Sequence, residues 1–195
     1  MMLHIPQVLN KHQVAELREQ IQQQSVWIDG THSAGPQAQK IKNNLQVDIQ
    51  SNVYESVSHS VLNALQQNLL LRSAALPKHT LLPMFNCYQN QGNYGNHVDN
   101  SIQYSAKTGQ MIRTDVSITV FLSEPDEYEG GNLEFDMRNQ KDWEQDKKKA
   151  IHECTEIRPR GSIIVFPSFV WHRVAPVTKG TRYSLVVWNL GQPWR

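Results

Sequence analysis

The spacing of apolar positions changes near residue 75, and the change divides the chain into two kinds of structure. Val14, Leu17 and Ile21 recur at helical spacing behind Leu9-Asn10, where Asn10 with Gln13 fits a capping box and Leu9 with Val14 a hydrophobic staple. A helix is therefore predicted from about 11 to 24. Val53, Val57, Val61 and Leu65 recur every four residues behind Asn52 and Glu55, a second capping signal, and predict a helix from about 52 to 70. Asp29 to Pro36, rich in turn formers, lies between them. Residues up to about 75 thus read as helical cladding.

Beyond that point the pattern becomes one of short extended runs: Met84 to Tyr88, Ser117 to Leu122, Asn132 to Phe135, Ser162 to Phe166, His172 to Ala175 and Tyr183 to Trp188. Turn signals such as Glu129-Gly130-Gly131 and Arg160-Gly161 separate them. Many short strands at this spacing imply a double-sheet jelly roll, whose mouth suits a metal and a small organic acid. The expected fold is mainly β with N-terminal helices, in one domain over residues 1–195 with its jelly-roll core from about 80. The stretch 138–160, with Lys147-Lys148-Lys149 and several acids, shows no amphipathic period. It reads as a solvated connection or as a mobile lid, with Trp143 the residue there able to touch a substrate.

Charge and cysteine usage narrow the function classes. Nineteen basic and 18 acidic residues give a net charge of +1, so no electrostatic case exists for a nucleic-acid or membrane partner. Cys87 and Cys154 stand far apart and outside any C-x-x-C spacing, which favours two free thiols in a reducing compartment. A metal pair of His152 and Cys154 lacks a second pair of soft ligands. The start Met-Met-Leu-His-Ile-Pro lacks a basic segment followed by an apolar core, and no run is long enough to span a bilayer, so a cytoplasmic location is expected. Neither G-x-S-x-G nor a P-loop sequence is present.

The chemistry concentrates in four residues. In His97-Val98-Asp99 the imidazole and carboxylate stand two apart, so an extended backbone projects both to one face, where they can reach a common metal. A further His completes the facial set of two nitrogens and one carboxylate used by non-haem iron(II) oxygenases, and His172 is the candidate. Pro176 to Gly180 reads as a hairpin turn; symmetry about position 177 would set His172 opposite Arg182, about 5 Å away, with a guanidinium beside the open side of the metal.

Three runs carry a family resemblance: Tyr88-Gln-Asn-Gln-Gly-Asn-Tyr-Gly-Asn-His97-Val-Asp99, Arg113 to Gly131, and Phe166-Pro-Ser-Phe-Val-Trp-His172 continuing to Arg182. Together with Met2 to Pro6 and Lys42 to Asp48 they resemble the PKHD-type hydroxylases, of the prolyl 4-hydroxylase-like iron(II) and 2-oxoglutarate dioxygenases. The resemblance implies the double-stranded β-helix form of the jelly roll. It implies that His97, Asp99 and His172 bind iron(II) and that Arg182 binds the distal carboxylate of 2-oxoglutarate. Tyr88, nine residues before His97, is either a co-substrate contact or a packed core aromatic, and Arg113 with Asp115 match without an implied role beyond an ion pair.

The implied reaction is hydroxylation of an unidentified small-molecule or peptide substrate by dioxygen, with release of succinate and carbon dioxide and with L-ascorbate keeping the iron reduced. Members of the family continue into a helical tail, whereas this sequence stops at Arg195. The 138–160 stretch also looks longer than the usual connection. Other readings are a cupin-like metal protein, which gives no reason for Arg182, and a non-catalytic iron or 2-oxoglutarate sensor. A nucleic-acid demethylase would carry a second Arg where Trp188 stands.

Overall fold

A computed structural model describes residues 2–105, 108–136, 151–153 and 159–192. In chain order the elements are β1 (Leu3–Ile5), α1 (Lys11–Gln23), β2 (Trp27–Asp29), β3 (Lys42–Asn43), β4 (Leu45–Val47), α2 (Tyr54–Gln67), α3 (Leu69–Ala75) and β5 (Pro77–Thr80). They continue with β6 (Met84–Gln89), β7 (Asn93–His97), β8 (Ile102–Ser105), β9 (Gln110–Arg113), β10 (Val116–Phe121), β11 (Tyr128–Gly130) and β12 (Leu133–Asp136). The last are β13 (Ile151–Glu153), β14 (Ile163–Pro167), β15 (His172–Val174) and β16 (Val177–Gly191).

Two sheets form the double-stranded β-helix without closing into a barrel. The larger runs β1-β14-β10-β16-β6-β4-β2, with β5 and β11 also on β16; the smaller runs β13-β12-β15-β7-β3. Period-two alternation gives the large sheet two different faces. In β14, Ile163 and Val165 join the core formed with the helices, while Ile164 and Phe166 join the core between the sheets. In β16, Leu185 and Val187 face the helices, while Arg182, Ser184, Val186 and Trp188 line a cavity. In β6, Phe85 packs toward the helices and Asn86 and Tyr88 line that same cavity. A side chain such as Phe85, 0 % exposed, contributes roughly 1.5–3 kcal/mol by burial, so a register slip of one residue would cost several such terms at once.

The first helix forms as its sequence predicts. Asn10 Oδ1 accepts from Gln13 N at 2.9 Å and Gln13 Oε1 from Asn10 N at 2.9 Å, and Val14, Leu17 and Ile21 are buried. The second predicted helix is two helices. Asn68, at φ −77° and ψ 108°, ends α2, and its side chain accepts from Leu71 N at 2.9 Å to cap α3. The Asn52–Glu55 capping box does not form, because the chain enters α2 through Val53 without a side-chain cap. Nor is the cladding wholly helical: β2 and β4 extend the large sheet and β3 pairs with β7 of the small one. Within 138–160, the backbone of β13 pairs with β12, so a strand interrupts the predicted connection; Trp143 and Cys154 lie outside the described residues. No helix among the described residues is long and apolar enough to cross a membrane.

Candidate metal centre

His97 ends β7 and His172 begins β15, and the two strands pair with these residues in register. Their rings lie 4.2 Å apart between centroids. Asp99 follows β7 by two residues, held by Asp99 N donating to Ser168 O at 3.0 Å. Asp99 Oδ1 lies 3.7 Å from His97 Nε2 and 3.8 Å from His172 Nε2. Those separations are too long for hydrogen bonds, yet two ligand bonds of about 2.1 Å to one ion reach across about 4.2 Å at most. All three ligand atoms fall within 4.8 Å of one another, as one ion requires.

The backbone sets the tautomers. His97 Nδ1 lies 2.8 Å from Gly95 O and His172 Nδ1 2.9 Å from Val170 O. A carbonyl only accepts, so each Nδ1 carries the proton and each Nε2 turns its lone pair toward Asp99. Burial, then the neighbouring His172, holds the His97 imidazole down at about 4, so it is neutral at physiological pH. Ser117 Oγ donates to the other carboxylate oxygen, Asp99 Oδ2, at 2.5 Å, and lies 2.8 Å from Ser168 Oγ. One carboxylate oxygen is thus anchored and the other left for a metal.

Arg182 reaches the same cavity by a different route from the one its sequence position suggests. His172 and Arg182 do not face each other across a hairpin: β15 pairs with β12 and β7, whereas β16 pairs with β6, β10 and β11. The segment at Ala175-Pro176 carries the chain from one sheet to the other, with Ala175 N donating to Asn132 O at 2.9 Å and Pro176 O accepting from Gly131 N at 3.0 Å. Arg182 sits opposite Tyr88 in the β6–β16 register and meets the triad across the gap between the sheets.

Arg182 is 1 % exposed. Its Nη1 donates to Ser184 Oγ at 2.8 Å, while Nε and Nη2 are buried with no partner. Its guanidinium carbon lies 5.3 Å from the Tyr88 ring centre and 5.7 Å from that of Phe121. Gly131, at φ +61°, makes room: a Cβ there would stand 2.9 Å from Arg182 Cδ. Tyr88 is both packed aromatic and cavity wall, and burial, only partly opposed by Arg182, pushes its phenol up to about 12. Arg113 and Asp115 form a two-pronged ion pair, Nε–Oδ1 2.6 Å and Nη2–Oδ2 3.0 Å, and Asp115 Oδ2 also accepts from Gly191 N.

Sequence reasoning overlooked Ser117 and Lys42. Ser117 stands as a small hydroxyl in the β-rich run Val116–Phe121, which is a faint signal for an inward polar contact. Lys42 belongs to a segment read as cladding, and only the pairing of β3 with β7 brings it to the cavity.

The chain matches the profile of the 2OG-Fe(II) oxygenase superfamily over residues 83–189. It is 42 % identical over 188 residues to a PKHD-type hydroxylase of Aliarcobacter butzleri, and 41 % identical over 188 residues to the PKHD-type hydroxylase YbiX of Escherichia coli. Each match spans 96 % of this chain and 77 % of the relative. Among solved structures it resembles the viral collagen prolyl hydroxylase of Paramecium Bursaria Chlorella virus-1 in its 2OG complex, with TM-score 0.59, 16 % identity and coverage of 96 % and 94 % of the two chains. That likeness shows a shared fold, and with the sequence matches it places the chain among the PKHD-type hydroxylases of the 2OG-Fe(II) oxygenase superfamily.

Proposed function

We propose that His97, Asp99 and His172 hold iron(II), that Arg182 grips the distal carboxylate of 2-oxoglutarate, and that the protein hydroxylates a small-molecule or peptide substrate. The observation that carries this reading is Arg182: a fully buried guanidinium with two of its nitrogens unpaired, lining the cavity that also holds a three-ligand set. A buried cation left without an anion is expensive, and a dicarboxylate supplies what Nε and Nη2 lack. The donor set fits iron(II), since two neutral imidazole nitrogens and one carboxylate occupy one side of an ion and leave the rest of its coordination open.

Bound together, iron(II) and 2-oxoglutarate supply the oxidation, converting dioxygen and 2-oxoglutarate into succinate, carbon dioxide and an oxygen atom inserted into a substrate C–H bond. The chain positions those components. Arg182 fixes the co-substrate at one end, Ser117 holds the Asp99 carboxylate from turning, and the Nδ1–carbonyl bonds prevent either imidazole from flipping its lone pair away. Tyr88 stays protonated and presents a hydroxyl donor beside Arg182. L-ascorbate serves in this reading to re-reduce iron after turnovers that oxidise no substrate. A cytoplasmic location is proposed with it, supported by the buried, unpaired Cys87 thiol.

The test is iron(II) binding, measured by equilibrium dialysis under nitrogen with wild type, Asp99→Ala and His172→Ala. The variants should lose more affinity than the roughly 10- to 100-fold typical of groups that merely support a ligand. Wild-type affinity in either variant would contradict the assignment.

A further inference from the structure

The cavity contains a second buried cation for which the reading above has no use. Lys42 is 7 % exposed, and β3 pairs it directly with Tyr94, three residues before His97 on β7. Its Nζ lies 5.0 Å from the centre of the Tyr94 ring, and that ring stacks on His97 at 3.6 Å between centroids and 17° between planes. The ammonium is therefore one ring away from a metal ligand.

We propose that Lys42 receives a carboxylate of the primary substrate, and that this substrate is a small monoanionic acid. The inference rests on the assignment of the triad to iron(II) and of Arg182 to 2-oxoglutarate. The seat of Lys42 is built: Nζ donates to Ser33 Oγ at 2.9 Å, Ser33 Oγ lies 2.6 Å from Gln46 Oε1, and Gln46 Nε2 donates to Asn86 Oδ1 at 2.9 Å. Asn44 Nδ2 donates to the same Asn86 oxygen at 2.9 Å. This wall consists of hydroxyl and amides, and among the described residues no carboxylate forms an ion pair with Lys42. An ammonium carries three donors, and only Ser33 takes one of them among the described side chains. Trp188 adds a further donor, its buried Nε1 having no partner on the same cavity.

Charge completes the argument. Iron(II) and doubly ionised 2-oxoglutarate cancel, whereas Arg182 and Lys42 outweigh Asp99 by one positive charge in a buried site. An uncompensated buried charge is costly, and a substrate bearing one carboxylate removes it. Burial lowers the Lys42 ammonium to about 8, with Asp99 and then the solvent-exposed Asp29, outside the cavity, opposing the drop, so at neutral pH it is still mainly protonated. The substrate must share this cavity with 2-oxoglutarate, which limits it to a small acid.

The experiment titrates wild-type protein, loaded anaerobically with iron(II) and 2-oxoglutarate, with monoanionic acids (N-acetyl-L-amino acids with uncharged side chains and short hydroxy acids) and with the primary amide of each. The visible charge-transfer band of the 2-oxoglutarate chelate is followed first, and succinate after oxygen is admitted. At least one acid should shift the band and raise succinate release, its amide requiring a roughly 10- to 150-fold higher concentration, as loss of a charge-assisted hydrogen bond implies. Lys42→Met should abolish that preference with 2-oxoglutarate affinity unchanged, and Lys42→Arg should retain it. Equal response to acid and amide, response to no acid, or a preference that survives in Lys42→Met overturns the proposal. Weakened 2-oxoglutarate binding in Lys42→Met also overturns it, by giving Lys42 to the co-substrate. The acid-to-amide comparison needs only wild type, and absence of any chelate band there would instead remove the iron and 2-oxoglutarate reading on which the inference rests.

Discussion

Replacing Arg182 with Met should cost co-substrate affinity heavily while costing the metal-free protein little or no stability. Arg182 spends one N–H group on Ser184 and keeps Nε and Nη2 unpaired in a site 1 % exposed. Two charge-assisted hydrogen bonds to a carboxylate contribute about 1.5–3 kcal/mol each, so Arg182→Met should weaken 2-oxoglutarate binding by about 3–6 kcal/mol, roughly 10² to 10⁴ in Kd. Without co-substrate the balance reverses. Met fills most of the space and removes a buried, uncompensated charge, a change typically worth from zero to about 4 kcal/mol of added stability. Loss of the Ser184 bond takes back about 1 kcal/mol. For a domain of this size each kcal/mol moves Tm by about 2–4 °C, so the metal-free variant should melt between about 4 °C below wild type and about 12 °C above it. The assay is thermal denaturation of both proteins with manganese(II) as a redox-inert stand-in, across a 2-oxoglutarate titration. Wild type should gain stability with each decade of co-substrate, while the variant's curve stays flat until far higher concentrations. An Arg182→Met protein that binds 2-oxoglutarate within about threefold of wild type would refute the reasoning, because Arg182 is the guanidinium among the described residues lining that cavity.

Three further perturbations probe the supports. Gly131→Ala places a Cβ 2.9 Å from Arg182 Cδ and 2.8 Å from Val177 Cγ2 at a positive φ, so it should lower both stability and 2-oxoglutarate affinity, read by denaturant melts and isothermal titration. Ser117→Ala frees Asp99 Oδ2 and should weaken iron(II) binding by roughly 10- to 100-fold with little change in 2-oxoglutarate affinity once iron is saturating; unchanged metal affinity would strip Ser117 of its role. Lys42→Met should stabilise the metal-free protein near pH 7, by an amount of order 3 kcal/mol. The sign follows from its depressed pKa, about 8 when folded against the ordinary 10.5: between these values the unfolded chain holds a proton that the folded chain has released, so wild-type stability climbs with pH relative to the variant. The gap should close by about pH 10.5 in paired urea melts, and a gap independent of pH would show that packing, not charge, sets it.

What the sequence made legible was local. The first helix could be read from Asn10, Gln13 and three apolar positions because a capping box and a helical stripe need no distant partner. The inward strands of the large sheet could be read because short apolar runs bounded by turn residues mark each by itself, and His97 with Asp99 because two residues of extended chain already point one way. Failures came where pairing is long-range. The proposed register of His172 against Arg182 assumed that consecutive strands pair, whereas a jelly roll sends them to opposite sheets; Gly180 therefore serves the β11–β16 contact, its position 2.2 Å from Glu127 O at a would-be Cβ, and not a hairpin tip. Arg182 still reaches the cavity of the triad because both sheets line it. Lys42 and Ser33 escaped notice for the same reason: their place depends on β3 and its neighbours joining strands forty or more residues away. Asn68 was a readable cap, hidden by apolar residues that continue on both sides of it.

The central claim is that the triad and Arg182 form one site for iron(II) and 2-oxoglutarate. Its most direct test is anaerobic addition of iron(II) and then 2-oxoglutarate to wild type and Arg182→Ala, followed by oxygen and quantification of succinate. The account predicts a visible charge-transfer band in wild type, saturating at one equivalent of iron per chain and followed by succinate, with the band strongly weakened in the variant. Iron bound at one equivalent with no band on adding 2-oxoglutarate would contradict it, and would make the cavity that of a metal protein with a different co-substrate.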